Sequence, residues 1–229
     1  MLKVNAGCAT CIFAGWVNLD HVDMSSYVQF LRNTGLSGLP EAQAELARRV
    51  QAAEQAGEKT DFRVHDVRKG WPFADGSVDF IYCGQFIEHL NPLYEVPPFL
   101  KECYRVLRPG GLIRVSTPDL DLILAAYAAG KMMDFAVEQP EPYRTARTDA
   151  TRLGFLMFGS LGPSSNSEHY EGHQMNYNRG SMTEILENAG FVNVAFFAPG
   201  ESQSPIFSEE TQDTGISHSL YAEAQKGLP

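Results

Sequence analysis

The sequence predicts an α/β fold, in which a mostly parallel sheet of seven strands carries helices on both faces. Two observations support this prediction: short runs of β-forming residues recur along the chain, and helical patterns separate several of them. Strands that alternate with helices imply a parallel sheet with both faces covered. With 229 residues, 44% of them hydrophobic, the chain is long enough for one sizeable core, and we expect a single domain over residues 1–229.

Seven runs carry the strand pattern. The second run follows the first after an unusually short connection, and the fifth is preceded by Pro109 and Gly110-Gly111. Most runs are rich in Val, Ile, Phe or Tyr and end at polar residues or glycine. The predicted strands are residues 2–5, 16–20, 62–65, 78–82, 112–116, 191–197 and 219–224.

Three segments between these runs predict helices. Residues 40–56 are rich in Ala, Glu, Gln and Arg and are followed by Gly57, as is typical of a helix and its end. Residues 99–107 place their apolar side chains on one helical face. Ser181 and Glu184 have the spacing of a capping box, which predicts a helix over residues 181–188.

Two segments are longer than the sheet requires. They are residues 24–59, between the second and third strands, and residues 118–180, between the fifth and sixth. Ligands of open α/β sheets bind at the carboxyl ends of the strands, where such insertions lie. We therefore expect both segments to cover a substrate; the alternative is that they are additional core helices.

The composition restricts the classes of partner. A formal net charge of −10 predicts no general nucleic-acid surface, because phosphate contacts require clustered Lys and Arg. No apolar run approaches the roughly eighteen residues of a membrane span. The first strand begins at residue 2, which leaves no space for a signal peptide. We expect a cytoplasmic monomer or homodimer that acts on a small molecule.

The four cysteines do not form an obvious metal or redox centre. Cys8 and Cys11 form a CxxC pair, but no second CxxC or CxxH accompanies it to complete a zinc site. Cys83 and Cys103 lie in a predicted strand and on an apolar helix face, where cysteine acts as a small hydrophobic residue. We expect reduced cysteines.

Small or acidic residues follow three successive predicted strands. Gly7-Cys8-Ala9 allows close approach of a ligand to the backbone, and Asp20 suits the hydroxyl groups of a ribose. Asp66 suits an adenine amino group, beside the apolar Val67. The glycine pattern is not GxGxxG, and no long helix follows it, which argues against NAD or FAD.

Five segments resemble, in order and spacing, the motifs of one family. They are VNAGCA at 4–9, GWVNLD at 15–20, DVRKGWPFADGSVD at 66–79, EHL at 88–90 and LRPGG at 107–111. Together they resemble the compact, type-11-like branch of the class I (Rossmann-like) methyltransferases that use S-adenosylmethionine (SAM). Phe158-Gly159, His173, Tyr177 and Gly190-Phe191 also fall where that branch has them. The resemblance covers nearly the whole chain except residues 24–59, and it implies a seventh strand that is antiparallel.

The resemblance implies a role for each residue of the cofactor site. Asp20 would bind the ribose of SAM, and Asp66 with Val67 would hold the adenine. The methionine portion would lie against Asn5, Gly7, Cys8, Ala9, Gly84 and Gln85. Ala9 departs from the family pattern, which usually has a second glycine there, and its methyl group penalises a positive φ.

Histidines and aromatic residues supply the candidates for catalysis and acceptor binding. His89, just beyond the fourth strand, and His173, in the second insertion, are candidate general bases, because histidine titrates near neutral pH. Their alternative roles are structural: Glu88-His89 as a helix cap and His173 as an anchor of the cover. The candidate substrate-binding residues are Tyr127, Phe158, His169, Tyr170 and Tyr177, which are alternatively core residues of the cover.

We predict no metal ion. Some related methyltransferases bind a metal through an ExxEH motif at this position, but here Gln85 replaces the first Glu and is a weaker ligand for a hard cation.

The sequence thus predicts an enzyme that transfers a methyl group from SAM to an oxygen, or secondly a nitrogen, of a small molecule. The resemblance favours a sugar or a natural product as the acceptor. The alternatives are a non-catalytic partner subunit with the same fold and an enzyme that uses SAM for another reaction, such as aminopropyl transfer. A nicotinamide oxidoreductase is the weakest alternative, because the phosphate-binding loop and helix are missing.

Overall fold

A single seven-stranded sheet organises the protein in the computed structural model, which describes residues 1–9, 11–139, 141–158, 172–211 and 218–228. The strand order is β3-β2-β1-β4-β5-β7-β6, and β7 runs antiparallel to both of its neighbours. The strands are β1 Lys3–Ala6, β2 Val17–Asp20, β3 Asp61–Val64, β4 Val78–Gly84, β5 Leu107–Pro118, β6 Phe191–Phe197 and β7 Ser219–Lys226. The predicted fold class, including the antiparallel seventh strand, is confirmed.

Seven α-helices accompany the sheet in the described residues. They are α1 Ser25–Asn33, α2 Glu41–Gln55, α3 Val96–Val106, α4 Leu120–Ala128, α5 Glu141–Thr145, α6 Asp149–Phe158 and α7 Arg179–Asn188. The predicted helix at 99–107 begins earlier, at Val96, because prolines are tolerated in the first turn of a helix. None of the described helices has the length and apolarity needed to cross a bilayer.

The capping prediction for α7 was wrong. Asn178 caps this helix: its side chain accepts a hydrogen bond from the Ser181 amide, and the Ser181 hydroxyl accepts one from the Asn178 amide, both at 3.0 Å. Ser181 is therefore the third helical residue rather than the cap. Asn is as good a cap as Ser, so the helix starts earlier than the Ser181–Glu184 spacing indicated.

The fifth strand is also longer than predicted. Leu107 already pairs with Val78, and a register shift then precedes the regular pairing of Phe80 with Leu112. The Pro-Gly-Gly segment therefore forms an irregular start of β5 and does not separate α3 from the strand. From Leu112 to Ser116 the strand pairs with both β4 and β7, and its last two residues pair with β7.

The main core lies between the sheet and helices α3 and α7. Ile81, Ile113, Phe99 and Leu186 are among its fully buried residues. A shift of a strand by one residue would move its apolar side chains out of this core. Burial therefore fixes the register of the strands and the positions of the residues that follow them.

The two insertions have their own apolar contacts. In residues 24–59, α1 and α2 pack together through Leu31, Ala47 and Val50. In residues 118–158, α4, α5 and α6 surround a smaller cluster that contains Ile123 and Tyr143. The interpretation of both segments as a substrate cover remains a prediction.

Candidate active site

The ends of the first four strands surround a cavity of about 460 Å³. Gly7 follows β1, Asp20 ends β2, and Asp66 and Val67 lie just beyond β3; all four line this cavity, as does His89 after β4. The structure thus brings together predicted cofactor residues from three strands and one predicted catalytic residue.

The loop after β1 is held against the end of β2. The amides of Gly7 and Cys8 both donate to the carbonyl oxygen of Leu19, at 3.0 and 3.1 Å. Gly7 has a φ of +67°, and a Cβ atom there would lie 2.4 Å from the ring of Phe86. This position therefore requires glycine for its backbone conformation and for its close contact.

Ala9, the departure from the family pattern, adopts a positive φ of 42°. The adjacent structure stabilises it, because its amide donates a 2.7 Å hydrogen bond to Oδ2 of Asp20. The residue thus keeps the conformation for which a glycine is usual, at the cost of some backbone strain.

Asp20 is buried, with 6% of its surface exposed, and its carboxylate orders both neighbouring loops. Besides Ala9, it accepts a bond from the amide of Val22 at 2.9 Å, and Nδ1 of His21 lies 3.3 Å from Oδ1. Each carboxylate oxygen has two acceptor sites, and Oδ2 uses one of them for the Ala9 amide, so Oδ2 retains capacity for a ligand hydroxyl.

Asp66 is oriented by the arginine two residues later. Arg68 donates to its two oxygens at 2.8 and 3.1 Å, and Lys69 lies 3.7 Å away. The hydrogen bond from Arg68 is the main cause that lowers the pKa of Asp66 to about 2, so it is ionised at neutral pH. Val67, 4% exposed, adds the apolar wall predicted beside it.

A second, smaller cavity of about 150 Å³ is lined by the predicted methionine-side residues: Asn5, Gly7, Cys8, Ala9, Gly84 and Gln85. Gly7 lines both cavities, so they adjoin at this residue. The side-chain amide of Asn5 donates a hydrogen bond to the carbonyl oxygen of Cys11 at 2.7 Å and therefore holds the loop after β1 in place. Gln85 has a φ of +51°, and its side-chain amide bonds to Ser219 Oγ at 3.1 Å.

The structure brings His89 and His173 together, although they lie far apart in the sequence. Their ring centroids are 4.9 Å apart, with the rings inclined at 72°. The two segments are joined because the carbonyl of Glu88 accepts hydrogen bonds from the amides of Gln174 and Met175, at 2.7 and 3.3 Å. The carboxylate of Glu88 completes the cluster: the ligand atoms of Glu88, His89 and His173 lie within 4.8 Å of one another.

Glu88 is the residue that sequence reasoning missed. Only 1% of its surface is exposed, and burial raises the pKa of its carboxyl to about 8. The backbone amide of Glu88 and then the Thr117 hydroxyl favour the charged form, but neither oxygen of Glu88 has a hydrogen-bond partner of normal geometry among the described residues. The adjacent His89 was the signal available in the sequence, but nothing local showed that the Glu88 side chain points into the protein.

His173 is held in one tautomer. Its Nδ1 lies 3.1 Å from the carbonyl oxygen of Leu156, which only accepts, so Nδ1 carries the proton and Nε2 presents a lone pair. Burial, and secondly the proximity of His89, lowers the pKa of His173 to about 4. Without a ligand, the imidazole is therefore neutral at physiological pH.

The three predicted acceptor-binding residues that the structure describes, Tyr127, Phe158 and Tyr177, line neither of the two cavities. Tyr177 is 1% exposed and belongs to the main core, where burial and the nearby Glu88 raise its pKa. Tyr127 on α4 and Phe158 at the end of α6 are 40% and 68% exposed. Phe158 lies near the histidine pair, because its carbonyl accepts a bond from the His173 amide at 3.1 Å. His169 and Tyr170 lie outside the described residues.

Burial also decides the state of the CxxC pair. It raises the pKa of Cys8 well above its usual range and that of Cys11 to about 11. Both thiols are therefore protonated at neutral pH, which disfavours the redox and metal roles that require thiolates.

Comparison with known proteins decides the family. Residues 4–115 match the family model described as a methyltransferase domain. The matched region runs from β1 into β5 and so contains the four strand ends that build the cavities. The chain belongs to the class I SAM-dependent methyltransferases. The predicted family and the predicted cofactor, SAM, are confirmed.

Individual relatives of the chain match only short segments of it. A probable SAM-dependent methyltransferase of Mycolicibacterium smegmatis is 40% identical over 85 residues, covering 33% of this chain and 32% of that protein. A probable SAM-dependent methyltransferase from Mycobacterium tuberculosis is 48% identical over 48 residues, which cover 21% of this chain and 16% of that protein. These matches span a third or less of the relatives' own length. A SAM-dependent methyltransferase structure from Methanosarcina mazei has a TM-score of 0.48 and 14% identity, over 99% of this chain and 92% of that one.

Proposed function

We propose that this methyltransferase transfers the methyl group of SAM to an oxygen of a small molecule, with nitrogen as the second choice of acceptor atom. The observation that carries this proposal is the His89–His173 pair, because His89 lines the larger cavity at the end of β4 and His173 packs beside it. A hydroxyl or ammonium acceptor must lose a proton during the reaction, and two imidazoles at the cofactor site suit that requirement.

The two adjoining cavities support a division of the cofactor site. The larger one, with Asp20, Asp66 and Val67, suits the ribose and the adenine. The smaller one, with the buried amide of Asn5 and the turn of Gly84 and Gln85, suits the methionine portion. Gly7 lines both cavities, so the sulfur of SAM, which joins the ribose to the methionine portion, would lie beside Gly7.

The chemistry requires little of the protein beyond placement. The acceptor oxygen attacks the methyl carbon in line, the carbon–sulfur bond breaks, and its electron pair neutralises the sulfonium to give S-adenosylhomocysteine. His89 and His173 would assist the departure of the acceptor's proton. The resemblance to methyltransferases of glycan and natural-product biosynthesis supports a sugar or a secondary metabolite as the acceptor class.

The first test is calorimetric titration with S-adenosylhomocysteine, with NADH as the control. Micromolar binding of the former alone supports the cofactor site. Transfer of radiolabelled methyl from SAM to a panel of sugars, phenols and amines then identifies the acceptor atom, and His89→Ala should reduce turnover about 10²–10⁴-fold.

Parallel assays separate the alternatives. Binding of S-adenosylhomocysteine without transfer to any acceptor class would favour a non-catalytic partner subunit. Turnover of decarboxylated SAM would instead indicate aminopropyl transfer.

A further inference from the structure

Three side chains of the types that ligate metals converge from two segments of the chain. Glu88 and His89 come from the short helical turn Ile87–His89, and His173 comes from the segment before α7. Their ligand atoms lie within 4.8 Å of one another. Two Zn²⁺ ligands at 2.0–2.1 Å in tetrahedral geometry are about 3.4 Å apart, so adjustments of roughly 1 Å would bring the three onto one ion.

We propose that Glu88, His89 and His173 bind one divalent transition-metal ion, for which Zn²⁺ is the reference.

The condition of Glu88 is the first argument for a cation. A carboxyl group that is 1% exposed normally has hydrogen-bond partners or an ion beside it, because burying its unpaired oxygens is costly. Neither oxygen of Glu88 has a hydrogen-bond partner of normal geometry in the part of the chain that the structure describes. A metal ion would satisfy one or both oxygens directly.

The orientation of His173 is the second argument. Histidines that bind metals usually donate their other ring N–H to a carbonyl or carboxylate, which fixes the ring. Nδ1 of His173 makes this bond, at 3.1 Å, to the carbonyl oxygen of Leu156. The remaining nitrogen, Nε2, is thereby held ready to act as a ligand.

The ligand set selects the class of ion. Two imidazoles and one carboxylate suit Zn²⁺, Co²⁺ or Fe²⁺, whereas Mg²⁺ and Ca²⁺ prefer oxygen ligands alone. Three protein ligands also leave a position open, as in catalytic zinc sites. Our expectation of no metal depended on Gln85, but its amide bonds to Ser219, and His173 supplies the third ligand in its place.

Metal binding would explain how the histidine pair assists the reaction, and this consequence rests on the proposed function. The ion would lower the pKa of an acceptor hydroxyl at its open position, so the proton would pass to solvent; the oxygen would then attack the methyl carbon as the carbon–sulfur bond breaks to release S-adenosylhomocysteine. His89 and His173 then act by holding the ion.

The test uses the full chain after removal of metals by a chelator. Equilibrium dialysis measures Zn²⁺ stoichiometry and affinity, and the visible spectrum of added Co²⁺ reports nitrogen and oxygen coordination. We expect one ion per chain, and a loss of affinity of at least tenfold in Glu88→Gln and in His173→Asn. S-adenosylhomocysteine binding by each variant verifies that it is folded.

Two matched variants define the controls. His21→Gln removes another histidine of the same cavity and should leave the metal affinity unchanged. Cys11→Ser removes the more exposed thiol of the CxxC pair and should also leave the metal affinity unchanged. Zn²⁺ binding that is lost in Cys11→Ser, or that is unaffected in folded His173→Asn, would overturn the proposal.

The two proposals fail separately. Methyl transfer by a protein that binds no Zn²⁺ and is insensitive to chelators would reject the metal site but retain the proposed function. Binding of one Zn²⁺ by the three residues, with no methyl transfer to any hydroxyl or amine, would retain the metal site and reject the proposed function.

Discussion

The backbone amide of Ala9 donates a 2.7 Å hydrogen bond to Oδ2 of Asp20. This contact joins the ends of two adjacent parallel strands, β1 and β2, at the wall of the larger cavity. One carboxylate therefore has two tasks: it holds the turn that lies against the cofactor site, and it retains acceptor capacity for a ribose hydroxyl.

Replacement of Asp20 with Ala should weaken S-adenosylhomocysteine binding by about 1–3 kcal/mol, because the ligand loses a buried hydrogen-bond acceptor and the turn at Ala9 loses its anchor. Asp20→Asn keeps one acceptor oxygen and should lose less binding free energy. Calorimetry measures both values, and Glu41→Gln, on the exposed face of α2, serves as the control for a lost surface carboxylate. Unchanged affinity in folded Asp20→Ala would remove the ribose assignment.

Replacement of Ala9 with Gly should relieve backbone strain at a φ of 42°. An alanine in this region costs roughly 1–2 kcal/mol, of which the greater freedom of glycine in the unfolded chain offsets about 0.4–1 kcal/mol. We therefore expect the free energy of unfolding to stay equal or to rise by up to about 1.6 kcal/mol, with S-adenosylhomocysteine affinity retained.

Chemical denaturation of Ala52→Gly provides the comparison. Ala52 is an exposed residue in α2, where the same change should cost about 1 kcal/mol. Equal destabilisation at both positions would show that Ala9 is not strained.

The Asp66–Arg68 pair should make stability depend on pH. The pKa of Asp66 is about 2 in the folded protein, below its unfolded value of about 3.9. The pair therefore stabilises the fold fully above the unfolded pKa, and this contribution is lost as the pH falls towards 2. Arg68→Ala should raise the pKa of Asp66 and remove this part of the pH dependence.

The measurement is urea denaturation at pH 6 and pH 3. The wild-type protein should lose more stability between these values than Arg68→Ala does. Arg68 also lies 3.5 Å from Glu95, so Glu95→Gln is the control for that second contact. An identical pH dependence in the wild type and Arg68→Ala would contradict the assignment.

The elements that the sequence predicted correctly depend on local patterns. All seven predicted strands and the three predicted helices occur. They could be predicted because hydrophobic runs and the glycines that end them are patterns of only a few neighbouring residues. The start of α7 was misplaced because Asn178 and Ser181 compete for the same capping role. The Glu88–His89–His173 cluster depends on where two distant segments pack, and neither segment contains that information by itself.

The cofactor residues were predictable for a related reason. In a parallel sheet the ends of neighbouring strands lie at one edge, so the strand pattern alone is enough to place Asp20 and Asp66 together. Tyr127 and Tyr177 have no such constraint. Their insertion packs around its own apolar cluster, and the structure places one on the surface and the other in the core.

Phe158 provides the sharpest test of the substrate cover. Its ring is 68% exposed at the end of α6, while its carbonyl accepts the amide of His173, so an acceptor held at the histidine pair would lie close to this ring. Phe158→Ala should raise the KM for the acceptor several-fold and leave the KM for SAM unchanged, because the ring lines neither of the two described cavities. Val192→Ala removes another exposed apolar side chain, on β6, and should change neither constant. A Phe158→Ala protein with an unchanged acceptor KM would mean that the ring does not contact the acceptor, and that the cover acts through other residues of the insertion.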